Sequence, residues 1–176
     1  VFLSASKQDM DRLEEKQLIV TDTRVDFAKN QLVLLSSASS PLALSSFEEL
    51  GDDAVKHLAV GEPTTVPAGR YAKETLEHLK MWDNLSDKLV FASDVRQVLT
   101  YVESGNAEAG IVYASDAAIS PKVKVIAAAE PERHNPIDYP AAVIAASRQA
   151  DTARMFLAFV TSDKGKAIFK QYGFHE

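Results

Sequence analysis

Two short stretches carry residue types suited to holding an anion without a counter-charge. The first is Thr64-Thr65-Val66-Pro67-Ala68-Gly69 and the second Ala92-Ser93-Asp94-Val95-Arg96. In each, a strand-like run feeds directly into a helix. Pro67 suits a first helical position, because its φ is preset and its missing N–H would have had no acceptor there. The small residues after it leave the helix end open to approach. First-turn N–H groups have no intrahelical acceptor, and the macrodipole adds positive potential, so such ends attract oxyanions.

The backbone N–H groups of Ala68 and Val95 are therefore candidate donors to one oxyanion. Tyr113 closes the next apolar run, Ala109 to Tyr113, and its hydroxyl is a third candidate. Each has a plainer reading. All α/β proteins have helix starts and most bind nothing, and a tyrosine at a strand end commonly buries its ring with the hydroxyl at the rim. Arg70 and Arg96 fall early in the two helices. They serve either as surface charges or as anion partners, and their place in the first turn favours backbone over side-chain contact.

Other chemistries find less support. His57, His78, His134 and His175 are scattered, with no HxH or HxxxH pair to suggest a metal site. No G-x-S-x-G elbow, P-loop or dinucleotide fingerprint is present, and no nucleophile–base pair can be picked out, so an enzyme is not expected.

Positioning these groups requires alternating strands and helices. Val1 to Ala5 reads as a buried strand, and Ser6 as the cap of a helix over Lys7 to Lys16, with Asp9 at the capping-box position. Val25 to Phe27 and Leu32 to Ser36 read as strands. A short helix follows from Ser45 or Ser46 to Leu50. Strand Leu58 to Val60 leads into a helix over Ala68 to Trp82, whose apolar positions recur at helical spacing. Strand Leu89 to Ala92 leads into a helix over Asp94 to Ser104, capped by Ser93 and stopped by Gly105. Ala109 to Tyr113, Val123 to Ala128 and Ala141 to Ala146 are further strands, with a polar connection over Pro131 to Pro140. Helices over Asp151 to Thr161 and Asp163 to Tyr172 close the chain. The alternation implies an α/β fold with substantially parallel sheet, in which ligands sit at the carboxyl ends of strands.

Composition narrows the partners. The chain has 176 residues, 46% of them hydrophobic, enough for one domain or two small lobes. A net charge of -6 provides no basic stripe, so no nucleic-acid partner is expected. There are no cysteines, which removes disulfides, thiolate metal sites and thiol nucleophiles. No run of 18 apolar residues suggests a membrane-spanning helix.

Longer segments carry a resemblance. LAVGEPTTVPAGRYAKETL (Leu58 to Leu76) and SDVRQVLTYVESGNAEAGIVYASDA (Ser93 to Ala117) resemble the molybdate-binding proteins of bacterial ABC transporters. So do YPAAVI (Tyr139 to Ile144), FLAFVTSDKGKAIFKQYGF (Phe156 to Phe174) and the opening VFLSASKQDMDRLEEKQLI. The resemblance covers essentially the whole chain. It implies a type II periplasmic binding protein fold of two lobes and a periplasmic or other extracytoplasmic location. It also implies a small tetrahedral oxyanion, molybdate or tungstate, in the cleft between lobes, a membrane permease as partner, and no cofactor beyond that ligand. By matching motif, the second-lobe donors are the N–H of Ala68, the N–H of Val95 and the hydroxyl of Tyr113. In relatives with octahedral coordination an Asp precedes the helix-start proline; Val66 stands there, which favours the tetrahedral mode with no side chain bonded to metal.

The same resemblance places the first lobe at residues 1–25 and 140–176, and the second, inserted lobe at 26–139. The family's two serine donors belong to segments upstream of the motif at Val1, and neither Ser4 nor the run Ser36, Ser37, Ser39, Ser40 matches them. The first lobe is therefore expected to be incomplete, with its apolar surface met by a missing N-terminal segment or a second copy of the chain. Two other functions stay open: a receptor for sulfate or phosphate on the same fold, and the ligand-sensing domain of a transcription regulator.

Overall fold

A computed structural model describes residues 1–175. In chain order the strands and helices are β1 (Phe2–Leu3), α1 (Lys7–Glu15), β2 (Val25–Lys29), β3 (Leu32–Ser37), β4 (Leu58–Gly61) and α2 (Pro67–His78). Then come β5 (Leu89–Ala92), α3 (Val95–Glu103), β6 (Ala109–Tyr113), α4 (Ala114–Ala118), β7 (Val123–Ala128), β8 (Asp138–Ala142), α5 (Ala150–Val160) and α6 (Asp163–Gln171). Short 3-10 helices cover Thr21–Thr23, Phe47–Gly51, Asp83–Lys88 and Pro131–Arg133. The chain divides into two compact units: Gln31–Asn135, and Val1–Asn30 together with the residues from Pro136 onward.

The Gln31–Asn135 unit holds a five-stranded sheet in the order β5-β4-β6-β3-β7. Its core strand β3 is an unbroken apolar run, with Leu32, Val33, Leu34 and Leu35 all buried, the pattern of a strand covered on both faces. β4 runs parallel to β5 and to β6, but β3 is antiparallel to both β6 and β7. The sheet is thus mixed, and the expectation of a substantially parallel sheet holds only for β4, β5 and β6. A parallel pair needs a crossover element between its strands, and helices α2 and α3 supply one on either side of β5. α3 packs its Val98, Leu99 and Val102 onto Val33, Leu35, Ala59 and Val112.

Helix ends explain two differences in boundaries. α2 stops at His78 instead of continuing to Trp82, because Lys80 enters the left-handed region at φ +57. The Lys80 N–H then bonds Glu77 O at 2.9 Å and the Met81 N–H bonds Leu76 O at 2.8 Å, carbonyls the helix end leaves over. α3 ends as expected, with Gly105 at φ +75 just beyond its cap.

The other unit holds a three-stranded antiparallel sheet, β1-β8-β2. β1 is an edge strand whose Leu3 is 40% exposed, so the expected buried strand at Val1 to Ala5 is short and partly open. β8 begins at Asp138, three residues before the expected strand, and includes Pro140. A proline is awkward in a central strand, and the register of β2 against β8 shifts beside it, between Asp26 and Ala28. Pro140 still accepts a hydrogen bond from the Ser4 N–H at 2.9 Å. Ser6 caps α1 by accepting from the Asp9 N–H at 3.2 Å. The Asp9 carboxylate turns to Arg12, and it is the Ser4 hydroxyl oxygen that takes the Ser6 N–H, at 3.1 Å.

Candidate functional site

The parallel strands bring three chain segments to one sheet edge. β4 pairs with β5 from Leu58↔Leu89 to Gly61↔Ala92, and with β6 at Leu58↔Ala109 and Ala59↔Gly110. Continued in that register, Gly61, Ala92 and Val112 are level. Beyond them lie the start of α2, the start of α3 and Tyr113. The two strand exits are also tied directly, the Glu62 N–H donating to Ala92 O at 2.8 Å.

Between β4 and α2 the loop bonds to itself. The N–H groups of Thr65 and Val66 donate to Glu62 O at 3.1 and 2.8 Å. The Thr64 N–H and hydroxyl donate to the Glu62 carboxylate at 3.3 and 3.0 Å. That carboxylate is thereby used within its own loop. Val66 is the N-cap residue, extended at φ -108 and ψ 117, and it offers no side-chain acceptor. A Ser, Thr, Asp or Asn here would take the N–H of the second or third helical residue. Those residues are Ala68 and Gly69, Ala68 being only 1% exposed. The first bond closing back onto the cap is that of the Arg70 N–H to Val66 O at 3.1 Å. α2 therefore starts without a capping side chain for its first-turn donors.

α3 starts differently. Asp94, not Ser93, is the N-cap, and its carboxylate accepts from the Gln97 N–H at 2.8 Å. The Gln97 side-chain oxygen reaches back to the Ser93 N–H and hydroxyl at 2.7 and 3.0 Å. The cap sits one residue later than expected, because Asp94 is the last extended residue, at φ -160 and ψ 170. This cap serves the third helical residue and leaves Val95, the first, outside its reach.

Tyr113 is half-buried and heads α4. Its ring lies edge-on to Tyr71 of α2, 6.4 Å between centroids and 60° between planes. Tyr71 in turn meets His134 at 5.7 Å and 61°. Asp116 lies on α4, the helix that Tyr113 heads. Burial pushes its carboxyl above the ordinary range, partly countered by the Arg96 charge and by the backbone of Tyr113. Among the described residues no three His, Cys, Asp or Glu side chains are grouped to hold a metal ion.

The structure thus assembles the elements carrying Ala68, Val95 and Tyr113 at one edge. Sequence reasoning passed over Tyr71 and His134. Tyr71 reads as one more apolar helix position, and His134 lies in a stretch that reads only as a polar connection. Their meeting depends on the chain returning past α2, which leaves no local signal.

Comparison with known proteins agrees with this architecture. Residues 1–175 match the family model of bacterial extracellular solute-binding proteins. The molybdate-binding protein ModA of Haemophilus influenzae is 38% identical over 99% of this chain and 69% of its own length. The molybdate-binding protein ModA of Escherichia coli is 39% identical, again over 99% and 69%. A structure from Clostridium difficile, described as the substrate binding domain of a molybdenum ABC transporter, superposes with a TM-score of 0.91 at 46% identity. That match covers 99% of this chain and 76% of the other. The chain spans about two thirds of the length of its curated relatives.

Proposed function

The chain belongs to the bacterial extracellular solute-binding proteins, and from that membership we propose that it is the substrate-binding component of an ABC importer for molybdate or tungstate. It works outside the cytoplasm, binds its ligand without chemical change, and delivers it to a membrane permease. The ligand is a tetrahedral dianion. The N–H of Ala68, the N–H of Val95 and the hydroxyl of Tyr113 donate to its oxygens, so that oriented dipoles stabilise the charge without a counter-ion. With buried, apolar Val66 before Pro67, that position offers no carboxylate to the metal.

The observation that carries this reading is the uncapped start of α2. A buried helix terminus without a capping side chain calls for another acceptor, and a ligand oxyanion is one. The names of the relatives supply the choice of molybdate over other anions, and tungstate is included as a tetrahedral dianion of the same charge and shape.

The test is calorimetric titration of this chain with molybdate, tungstate, sulfate and phosphate, paired with amide NMR spectra. Heats with molybdate and tungstate are expected, with the Ala68 and Val95 amides shifting most. Heat with sulfate or phosphate alone would reassign the ligand within the same fold. No heat and no movement of those amides with any of the four overturns the proposal.

A further inference from the structure

His134 carries a ring nitrogen that is buried and, among the described residues, has no hydrogen-bond partner: Nε2. The other nitrogen, Nδ1, is 2.7 Å from the carbonyl oxygen of Asn135. A carbonyl only accepts, so Nδ1 bears the proton and Nε2 is left as a bare lone pair. A residue placed here only to fill space would be Phe or Leu, with no nitrogen to strand in a dry position.

The surroundings hold this ring firmly. Asn135 donates its N–H and its side-chain amide to the two carboxylate oxygens of Glu74 on α2, at 2.8 and 3.1 Å. Arg133 pairs with Glu48 at 2.8 Å and with Glu130 at 3.0 Å. The segment is thus anchored on both sides of His134, and the imidazole is pressed edge-on to Tyr71. Tyr71 bears the same relation to Tyr113. Edge-to-face contacts depend on orientation, so the three rings set one another's angles.

We propose that His134 is a positioning residue for the anion site, acting through Tyr71 to fix the Tyr113 ring and the aim of its hydroxyl. This rests on the reading of Tyr113 as an oxyanion donor.

The experiment is titration with molybdate at pH 8, for wild type, His134→Ala, His134→Phe, Tyr113→Phe and the His134→Ala/Tyr113→Phe double variant. His134→Ala is expected to lose about tenfold in affinity at pH 8, and the double variant to bind within about twofold of Tyr113→Phe, since coupled residues are not additive. His134→Phe keeps a ring edge and should bind within about threefold of wild type. Additive losses overturn the inference, as does His134→Phe falling as far as His134→Ala. A wild type that gives no heat with molybdate sinks the molybdate reading together with this inference; binding with additive losses sinks this inference alone.

Discussion

Gly69 in the first turn of α2 lies against the end of β4 so closely that a Cβ there would stand 2.0 Å from the carbonyl oxygen of Gly61. The obstruction is backbone, not the flexible end of a side chain. Gly69→Ala must therefore push the whole helix start outward, and with it the Ala68 N–H. Overpacking of this kind costs about 1–3 kcal/mol and occasionally more. A lower urea midpoint and loss of molybdate affinity are both expected, since the displaced terminus is the proposed donor. An alanine variant with wild-type stability and affinity would show that α2 is not held by this contact.

Val66→Thr probes the missing cap. Threonine matches valine in shape and adds a hydroxyl at the N-cap, where it can accept from the N–H of Ala68 or Gly69. Such caps contribute about 0.5–2 kcal/mol relative to an uncapped end, while burial of the hydroxyl at a position 5% exposed opposes the gain. Stability should change little. Affinity for the oxyanion should fall roughly 3- to 30-fold, because the ligand now competes with an internal acceptor for a bond of about 1 kcal/mol or more. Calorimetry beside urea unfolding separates the two effects.

Much of this edge is legible in the sequence, for local reasons. Pro67 after an extended run, the small residues behind it and Gly105 at a helix stop are signals read within a few residues. The candidate donors Ala68 and Val95 follow from them. The N-cap falls at Asp94 and not at the expected Ser93, because both residue types cap well and only the backbone torsions decide between them. β3 and β7 being antiparallel to each other, and β3 to β6, is a matter of which strands meet, and no period encodes that. Pro140 and Asp138 look like strand breakers, yet the register shift in β2 lets β8 run through them. His134 stands at the far end of this scale: its role depends on Tyr71 and Glu74, some sixty residues earlier.

Asp116 should make the protein more stable in mild acid than its neighbours would suggest. Burial raises its carboxyl above 3.8, with Arg96 and the Tyr113 backbone opposing only in part. A raised carboxyl binds its proton more tightly in the folded state than in the unfolded chain. Stability is therefore lost as pH rises from 3.8 through the folded value, and the penalty is complete above it. Asp116→Asn should raise the urea midpoint at pH 7, with the advantage shrinking toward pH 3.8. An equal midpoint for both proteins at pH 7 would mean that Arg96 fully offsets the burial.

Val95→Pro isolates a single donor. Val95 is the first residue of α3, where proline is well tolerated because its φ suits the helix and the N–H it lacks serves no intrahelical bond. The residue before a proline must be extended, and Asp94 already is, at φ -160 and ψ 170. The Asp94 cap works through the Gln97 N–H, which the substitution leaves in place. Proline also keeps most of the apolar volume that Val95 packs against the sheet core. Folding should therefore survive within about 1 kcal/mol, consistent with the mild cost of a compatible proline. Binding should not survive so well. A hydrogen bond to a charged group contributes about 1.5–3 kcal/mol, which corresponds to roughly a 10- to 150-fold loss of affinity for molybdate. Because alanine keeps the backbone N–H and the side chain is not a proposed ligand contact, Val95→Ala should bind as wild type does, even where the lost packing lowers stability. If proline and alanine behave alike in the titration, the Val95 N–H is not a ligand donor, whatever Ala68 and Tyr113 contribute.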